Sequence, residues 1–465
     1  MASMIKKDSL FNGLFLTSMV LVFLCIYSIV YEKSAFLQDN FKQVNILPIK
    51  KKNLTRNTKI QEYSRLQQNI HFVKDIIISK EKFKAYSDSI ESIKNYDGAH
   101  TALIYFFQSL LNVEGKGKGT SRIGYYGDSM IEGDLMSMTL RTMLQNKFGG
   151  RGIGFMPITS ITNFFRKNIN HRFSDGWKRL NVNQSNNQFL FGLSGEVFIP
   201  DMLYTSHDVS YKSSNYQFLQ DLPTTKLFYG PDTAKVKRNK LFVQNDSFLL
   251  NKEKLVNTLY ITKSSKKEIV LNFDFLSPMP IYGVSFESSK GVLVDNFAIR
   301  GNSGMPMTKI SANMLRDFNE EMNYDLVILQ FGLNVVSGKS NFIWYQNQMQ
   351  RVISHFKKAM PYTSILVVSI PDQSSKNEDG VMTSSPSVIP IVEAQKEAAR
   401  SSEVAYFNLY KAMGGENSMV KWVEELQYAN SDYVHFNYSG AKYASTLIFE
   451  FLMNAYQEYK ESLNE

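Results

Sequence analysis

One well-placed serine and six histidines define the acid–base chemistry this chain can offer. Tyr126-Gly127-Asp128-Ser129-Met130 follows a short apolar run, Arg122 to Gly127, and precedes an amphipathic stretch, Glu132 to Asn146. A serine there stands at the carboxyl end of a strand, where open α/β sheets place ligands, and is positioned as a nucleophile. The plainer reading is that Asp128 or Ser129 only caps the helix that follows. A serine hydroxyl needs a base to attack anything. His71 and His100 precede the α/β pattern, His171 and His207 fall in or beside a β-rich stretch, and His355 lies within a helical pattern. His435 remains, in Asp432-Tyr433-Val434-His435 just before the last helix, with a carboxylate upstream able to orient the imidazole and stabilise its cation.

Two more blocks stand where hydrogen-bond donors would be needed. Phe331-Gly332-Leu333-Asn334 ends the run Asp325 to Phe331, and Gly301-Asn302-Ser303-Gly304 follows the run ending at Ile299. Both could donate to a developing oxyanion. Taken in order, GDS, a glycine turn, G-x-N and D-x-x-H resemble the blocks of the SGNH (GDSL-like) hydrolase superfamily, over about residues 120–165 and 290–460. The resemblance implies a serine ester hydrolase with Ser129 as nucleophile and Asp432 and His435 completing a triad. It also implies an oxyanion hole made by the Ser129 backbone N–H, Gly304 and Asn334. Gly301 competes with Gly304, and the family's usual use of the second glycine of such a turn favours Gly304.

GDSMIEGDL, LRTMLQNKFGGRGIGFMPI and the β-rich stretch between the blocks further resemble envelope enzymes that act on O-acetyl groups of peptidoglycan or exopolysaccharide, although Met130 stands where these usually carry histidine. That likeness implies removal of acetyl from an envelope glycan through an acyl-enzyme, with no metal or organic cofactor. If a sugar hydroxyl replaces water as acceptor, the protein is an O-acetyltransferase supplied by a membrane-bound O-acyltransferase partner. A non-catalytic glycan-binding protein with a vestigial triad is the reading from a different class. Glu132 and Asp134 could be taken for a glycosidase carboxylate pair, but acids at a helix N-terminus are favoured by its dipole.

Positioning these residues requires a scaffold, and the periodicity supplies one. After residue 120, short apolar runs alternate with amphipathic segments: RIGYYG, then Glu132 to Asn146; DLVILQF, then Asn341 to Met360; SILVVSI, then Val388 to Arg400; and VAYFNLY before the final helix. This rhythm predicts an α/β fold with a parallel sheet covered on both faces, and the family resemblance makes it a three-layer, flavodoxin-like one. In the final helix Ala444, Leu447, Ile448, Phe451, Leu452 and Ala455 form one apolar stripe, read as core. The rhythm breaks between about 165 and 290, where KEIVLNFDFL and IYGVSFES show β-type runs. The expected organisation is therefore an α/β domain of residues 96–165 and 290–465, interrupted by a β-rich, sandwich-like insert of residues 166–289.

Residues 9–31, the uncharged run Ser9 to Tyr31 between Asp8 and Glu32, are long enough to cross a hydrocarbon core. They predict an uncleaved transmembrane anchor after a short tail (1–8) and before a polar, lysine-rich stalk (32–95). Lysines flank the span on both sides, so charge counting leaves its orientation open. The likeness to envelope enzymes places the catalytic domain on the outer, periplasmic side of the cytoplasmic membrane. With 43% hydrophobic and 20% charged residues, a disordered or fibrous chain is excluded. The formal charge of +9 is spread too thinly to indicate nucleic acid, and the single cysteine, Cys25, excludes an internal disulfide.

Overall fold

The computed structural model describes residues 102–464 apart from 185–188, 215–219, 233–238, 252 and 338–340. The expected tail, anchor and stalk, with Cys25, His71 and His100, lie outside the described residues. Among the described residues no helix is long and apolar enough to cross a membrane.

Five strands build the central sheet: β1 (Thr120–Gly127), β2 (Gly291–Ala298), β3 (Leu326–Gln330), β4 (Ser364–Val368) and β5 (Ala405–Phe407). All pair in parallel, in the order β2-β1-β3-β4-β5, the order of flavodoxin-like sheets. β3 and β4 are buried along their whole length. Strands covered on both faces must be apolar throughout, which is why LVILQ and SILVV read as runs rather than alternations. Around the sheet lie α1 (Ile104–Lys116), α2 (Leu135–Phe148), α3 (Ala312–Met322), α4 (Ile343–Ala359), α5 (Val388–Ser401) and α6 (Tyr438–Ser462). α2 packs on α6, while α4 packs on both α3 and α5. The crossovers β1–α2–β2 and β2–α3–β3 run in opposite directions along the sheet, so their right-handedness puts these two sets on opposite faces. The stripe of α6 from Ala444 to Ala455 is buried against the core.

Between α2 and β2 the chain builds two antiparallel sheets. One contains Gly154–Met156, Trp177–Asn181, Glu196–Pro200, Thr224–Tyr229, Asn257–Thr262 and Ile281–Glu287; the other contains Ile169–Phe173, His207–Ser213, Lys240–Val243, Asp246–Leu249 and Glu268–Asp274. Glu268–Asp274 alternates exposed and buried residues, and its Ile269, Leu271 and Phe273 share a core with Leu227, Tyr229 and Ile281 of the first sheet. Ile281–Glu287 is instead buried at every position, because its second face lies against the α/β domain, where Tyr282 and Phe228 meet Phe318 of α3. The expected start of the insert at residue 166 is therefore corrected. Gly154–Met156 already pairs with Ile281–Glu287, and a strand of three residues is too short to show a β period in sequence.

Buried charge also crosses this junction. Arg122 of β1 donates to Asp295 and Glu287 at 2.7 Å each, and to Ser285 at 2.9 Å. Lys226 completes the pairing of Glu287.

Candidate active site

Register brings the chemistry to one edge. Gly127, the last residue of β1, pairs with Ala298 of β2 and with Gln330 of β3. The three strands end level, so the segments bearing Ser129, Gly301 and Asn334 leave the same edge at the switch point between β1 and β3. Asp128 then turns the chain by accepting the Met130 N–H at 3.0 Å, and Ser129 opens a short 3-10 turn, Ser129–Asp134. The helix expected from Glu132 begins instead at Leu135, because Gly133 and Asp134 both take positive φ, 70° and 65°.

Ser129 Oγ lies 2.9 Å from His435 Nε2, and His435 Nδ1 lies 2.9 Å from Asp432 Oδ2. With the Nδ1–H donated to the carboxylate, Nε2 is free to accept the serine proton. Asp432 Oδ1 also accepts the backbone N–H of Val434 at 3.0 Å and of His435 at 2.9 Å, so the four-residue spacing closes a turn that fixes the carboxylate. Partial burial would raise the Asp432 pKa, but these bonds from the His435 N–H, the His435 ring and the Val434 N–H outweigh it and hold the carboxyl below its usual range. The loop carrying the pair is braced by Asn430 N–H to His435 O at 2.8 Å and Asn437 N–H to Tyr428 O at 3.1 Å.

The other described histidines are occupied elsewhere. His171 and His207 in the insert bond to Ile158 O and Asp201 O, and His355 of α4 to Ile310 O. Burial pushes His171 down to about 3. Glu132 pairs with Arg300 at 2.7 Å and Asp134 with Arg141 at 2.8 Å, so each carboxylate has an arginine partner of its own.

The donor side differs from expectation in one residue. Gly304 N–H does not face an open site: it donates to Asn302 Oδ1 at 2.9 Å inside its own turn. Gly301 N–H and Ser129 N–H have no acceptor among the described residues. The preference for Gly304 over Gly301 is thereby reversed, because the Asn302 side chain consumes the Gly304 amide, an effect glycine spacing cannot reveal. Asn334 Nδ2 lies 3.2 Å from Asp128 Oδ2 and 3.1 Å from Asn302 O, both at the long end for a hydrogen bond.

Asp128 emerges as an organiser. It is 1% exposed and accepts from Met130 N–H, Leu333 N–H and Asn334 Nδ2. Burial pushes its pKa up to about 6, against the pull of the Met130 and Leu333 amides and of His435. Sequence offered it only as a helix cap, which is part of its work; its link to Asn334 spans two strands and leaves no local trace.

No protein-family profile matches the sequence, and no curated protein matches it. Among solved structures, one described as a peptidoglycan O-acetylesterase in action has a TM-score of 0.64 at 23% identity, over 76% of this chain and 96% of its own. A family two carbohydrate esterase from Cellvibrio japonicus gives a TM-score of 0.25 at 8% identity, over 60% of this chain and 98% of its own. A carbohydrate esterase family 3 structure from Talaromyces cellulolyticus gives 0.26 at 17%, over 35% and 72%. The first likeness is one of fold, and its coverage extends beyond the α/β domain into the insert.

Proposed function

We propose that this protein is a serine esterase of the SGNH type that removes O-acetyl groups from a cell-envelope glycan. The observation that carries the reading is the continuous chain from Ser129 Oγ through His435 to Asp432 at the switch point of a parallel sheet. Ser129 Oγ attacks the acetyl carbonyl as His435 Nε2 takes its proton, and Asp432 stabilises the imidazolium. The Ser129 and Gly301 N–H groups receive the oxyanion, and Asn334 joins them by exchanging one of its long hydrogen bonds. Collapse expels the sugar oxygen, which takes the proton from His435. Water then attacks the acetyl-serine, with His435 as base, and acetate leaves.

The substrate class is supported by the likeness of the fold, insert included, to a structure described as a peptidoglycan O-acetylesterase. With it goes the reading of residues 9–31 as an anchor that leaves the domain on the outer side of the membrane. The test is incubation of the purified chain with a chromogenic acetate ester, with and without an acetyl-accepting oligosaccharide, followed by mass spectrometry of the peptide holding Ser129. Acetate release and a transient acetyl-Ser129 are expected. Acetyl found chiefly on the oligosaccharide would make the protein a transferase, and no acetyl-enzyme would end the catalytic reading.

A further inference from the structure

The segment of residues 159–167 touches both the turn that follows Ser129 and the helix that follows His435. On one side Phe165 packs on Gly133 of the Ser129–Asp134 turn, so closely that a methyl on Gly133 would stand 3.1 Å from Phe165 Cβ. On the other, Lys167 Nζ sits 3.7 Å from the ring centre of Tyr438, at the start of α6 just past His435. The rings of Phe164 and Phe165 lie 4.4 Å apart and are 73% and 52% exposed, with Ile161 also exposed. Apolar rings held in water beside the Ser129–Asp134 turn forgo the stabilisation that burial would give.

In the same segment, Arg166 is 8% exposed and lines a narrow cleft of about 20 Å³, room for one or two water-sized groups, together with Glu132, Thr159, Arg179, Ser194 and Glu196. Its Nε and Nη1 make no hydrogen bond. Asp134 Oδ2 stands 3.7 Å from Nη1, and that carboxylate already takes Arg141, Asn168 and Ser137. Ser194 Oγ, on the same cleft, is buried without a partner too. The two carboxylates that line the cleft are matched, Glu196 by Arg179 at 2.5 Å and Glu132 by Arg300 at 2.7 Å. One buried cation and one hydroxyl are left with unmet hydrogen-bonding capacity, and leaving such groups unmet is costly unless a ligand satisfies them.

We propose that this segment and cleft form the glycan subsite of the active site and take a pyranose bearing a carboxylate. The apolar C–H face of the sugar stacks on Phe164 and Phe165, while its carboxylate enters the cleft and accepts from Arg166 and Ser194. A guanidinium matches a carboxylate in charge and in planar donor geometry. The proposal rests on the esterase reading for the reaction beside it, and its own test is one of binding.

Calorimetry on the full chain compares tetragalacturonate with neutral cellotetraose, neither of which carries acetyl. The carboxylated ligand is expected to bind about tenfold more tightly, the size of one charge-assisted hydrogen-bond contribution. Arg166→Gln should erase that preference, and Phe164→Ala, at an exposed position, should weaken both ligands several-fold. If circular dichroism shows Arg166→Gln unfolded, Arg166→Lys is read instead, with a reduced preference expected. Equal affinity for the two ligands, binding of neither, or a preference that survives loss of Arg166 would overturn the proposal, the last because the cleft then holds only water. A chain that shows the preference yet hydrolyses no acetate ester loses the esterase reading and keeps the subsite; one that hydrolyses without preference loses the subsite alone.

Discussion

At the scale of single residues, the site is built from groups that each satisfy another. Ser129→Ala and His435→Ala should cost turnover to similar extents, and the double variant should be little worse, because nucleophile and base act as one unit; single-turnover acylation of the three variants measures this. Asn334→Ala should lower turnover by roughly 100 to 1,000-fold with little change in apparent substrate affinity, as for loss of a typical oxyanion donor. A folded variant with near-normal acylation would reduce Asn334 to a turn residue. Asp128 gives the sharpest case. Its pKa is pushed up to about 6 from an ordinary 3.8, so the folded protein holds that proton more tightly. Stability is therefore full below about pH 4 and is lost as pH rises through about 6, a swing of about 3 kcal/mol. Asp128→Asn should remove that pH dependence, so its melting temperature should not show the fall between about pH 4 and pH 8 that this group gives the parent. Its turnover should still fall by about tenfold or more, since the new NH2 must face either the Met130 N–H or the Asn334 NH2 and misalign the donor. Unchanged acylation by Asp128→Asn would remove Asp128 from the site's organisation.

At the scale of elements, what the sequence discloses follows the range of the forces involved. β3 and β4 are legible because burial on both faces demands apolar residues at every position, and α6 because its buried stripe repeats with the helix. The Asp432–His435 turn is legible because its bonds are local. The break of the first helix at Gly133 and Asp134 is not, since Asp134 is fixed by Arg141 and Asn168, the latter arriving from the insert. Nor is the loss of the Gly304 amide to Asn302. The meeting of Ser129 with His435 spans 306 positions, and only elimination of the other histidines and the ordered family blocks suggested it. The loop that delivers His435 leans on the first turn of α6, where a methyl on Gly440 would fall 1.9 Å from Tyr428 O. Gly440→Ala must push the loop or the helix aside. It should cost roughly 1–3 kcal/mol of stability and also lower turnover per folded molecule, because Tyr428 anchors the strand-like closure at Asn437. Chemical denaturation together with active-site titration separates the two effects, and an unaltered turnover would show that the loop does not depend on this contact.

At the scale of the whole molecule, the insert has to be held at a fixed place on the α/β domain if residues 159–167 are to border the reaction centre. Apolar packing of Phe228 and Tyr282 on Phe318 supplies part of that. The buried charges of Arg122, Glu287, Asp295 and Lys226 supply direction, because ion pairs tolerate little misplacement. Burial alone would raise the Glu287 pKa, but Arg122 and Lys226 overcome it and bring the carboxyl down to about 2, from an ordinary 4.5. A depressed carboxyl contributes stability that is present above its unfolded pKa and lost as pH falls through the folded one. The loss therefore runs from about pH 4.5 to about pH 2 and amounts to about 3 kcal/mol. Glu287→Gln should consequently be destabilised at pH 7, where Arg122 and Lys226 lose a partner, and should approach the parent in stability near pH 2. Urea unfolding at both pH values measures the difference. If the parent and Glu287→Gln differ by the same amount at both, the carboxylate is not what couples the two domains, and the apolar face alone holds the insert in place.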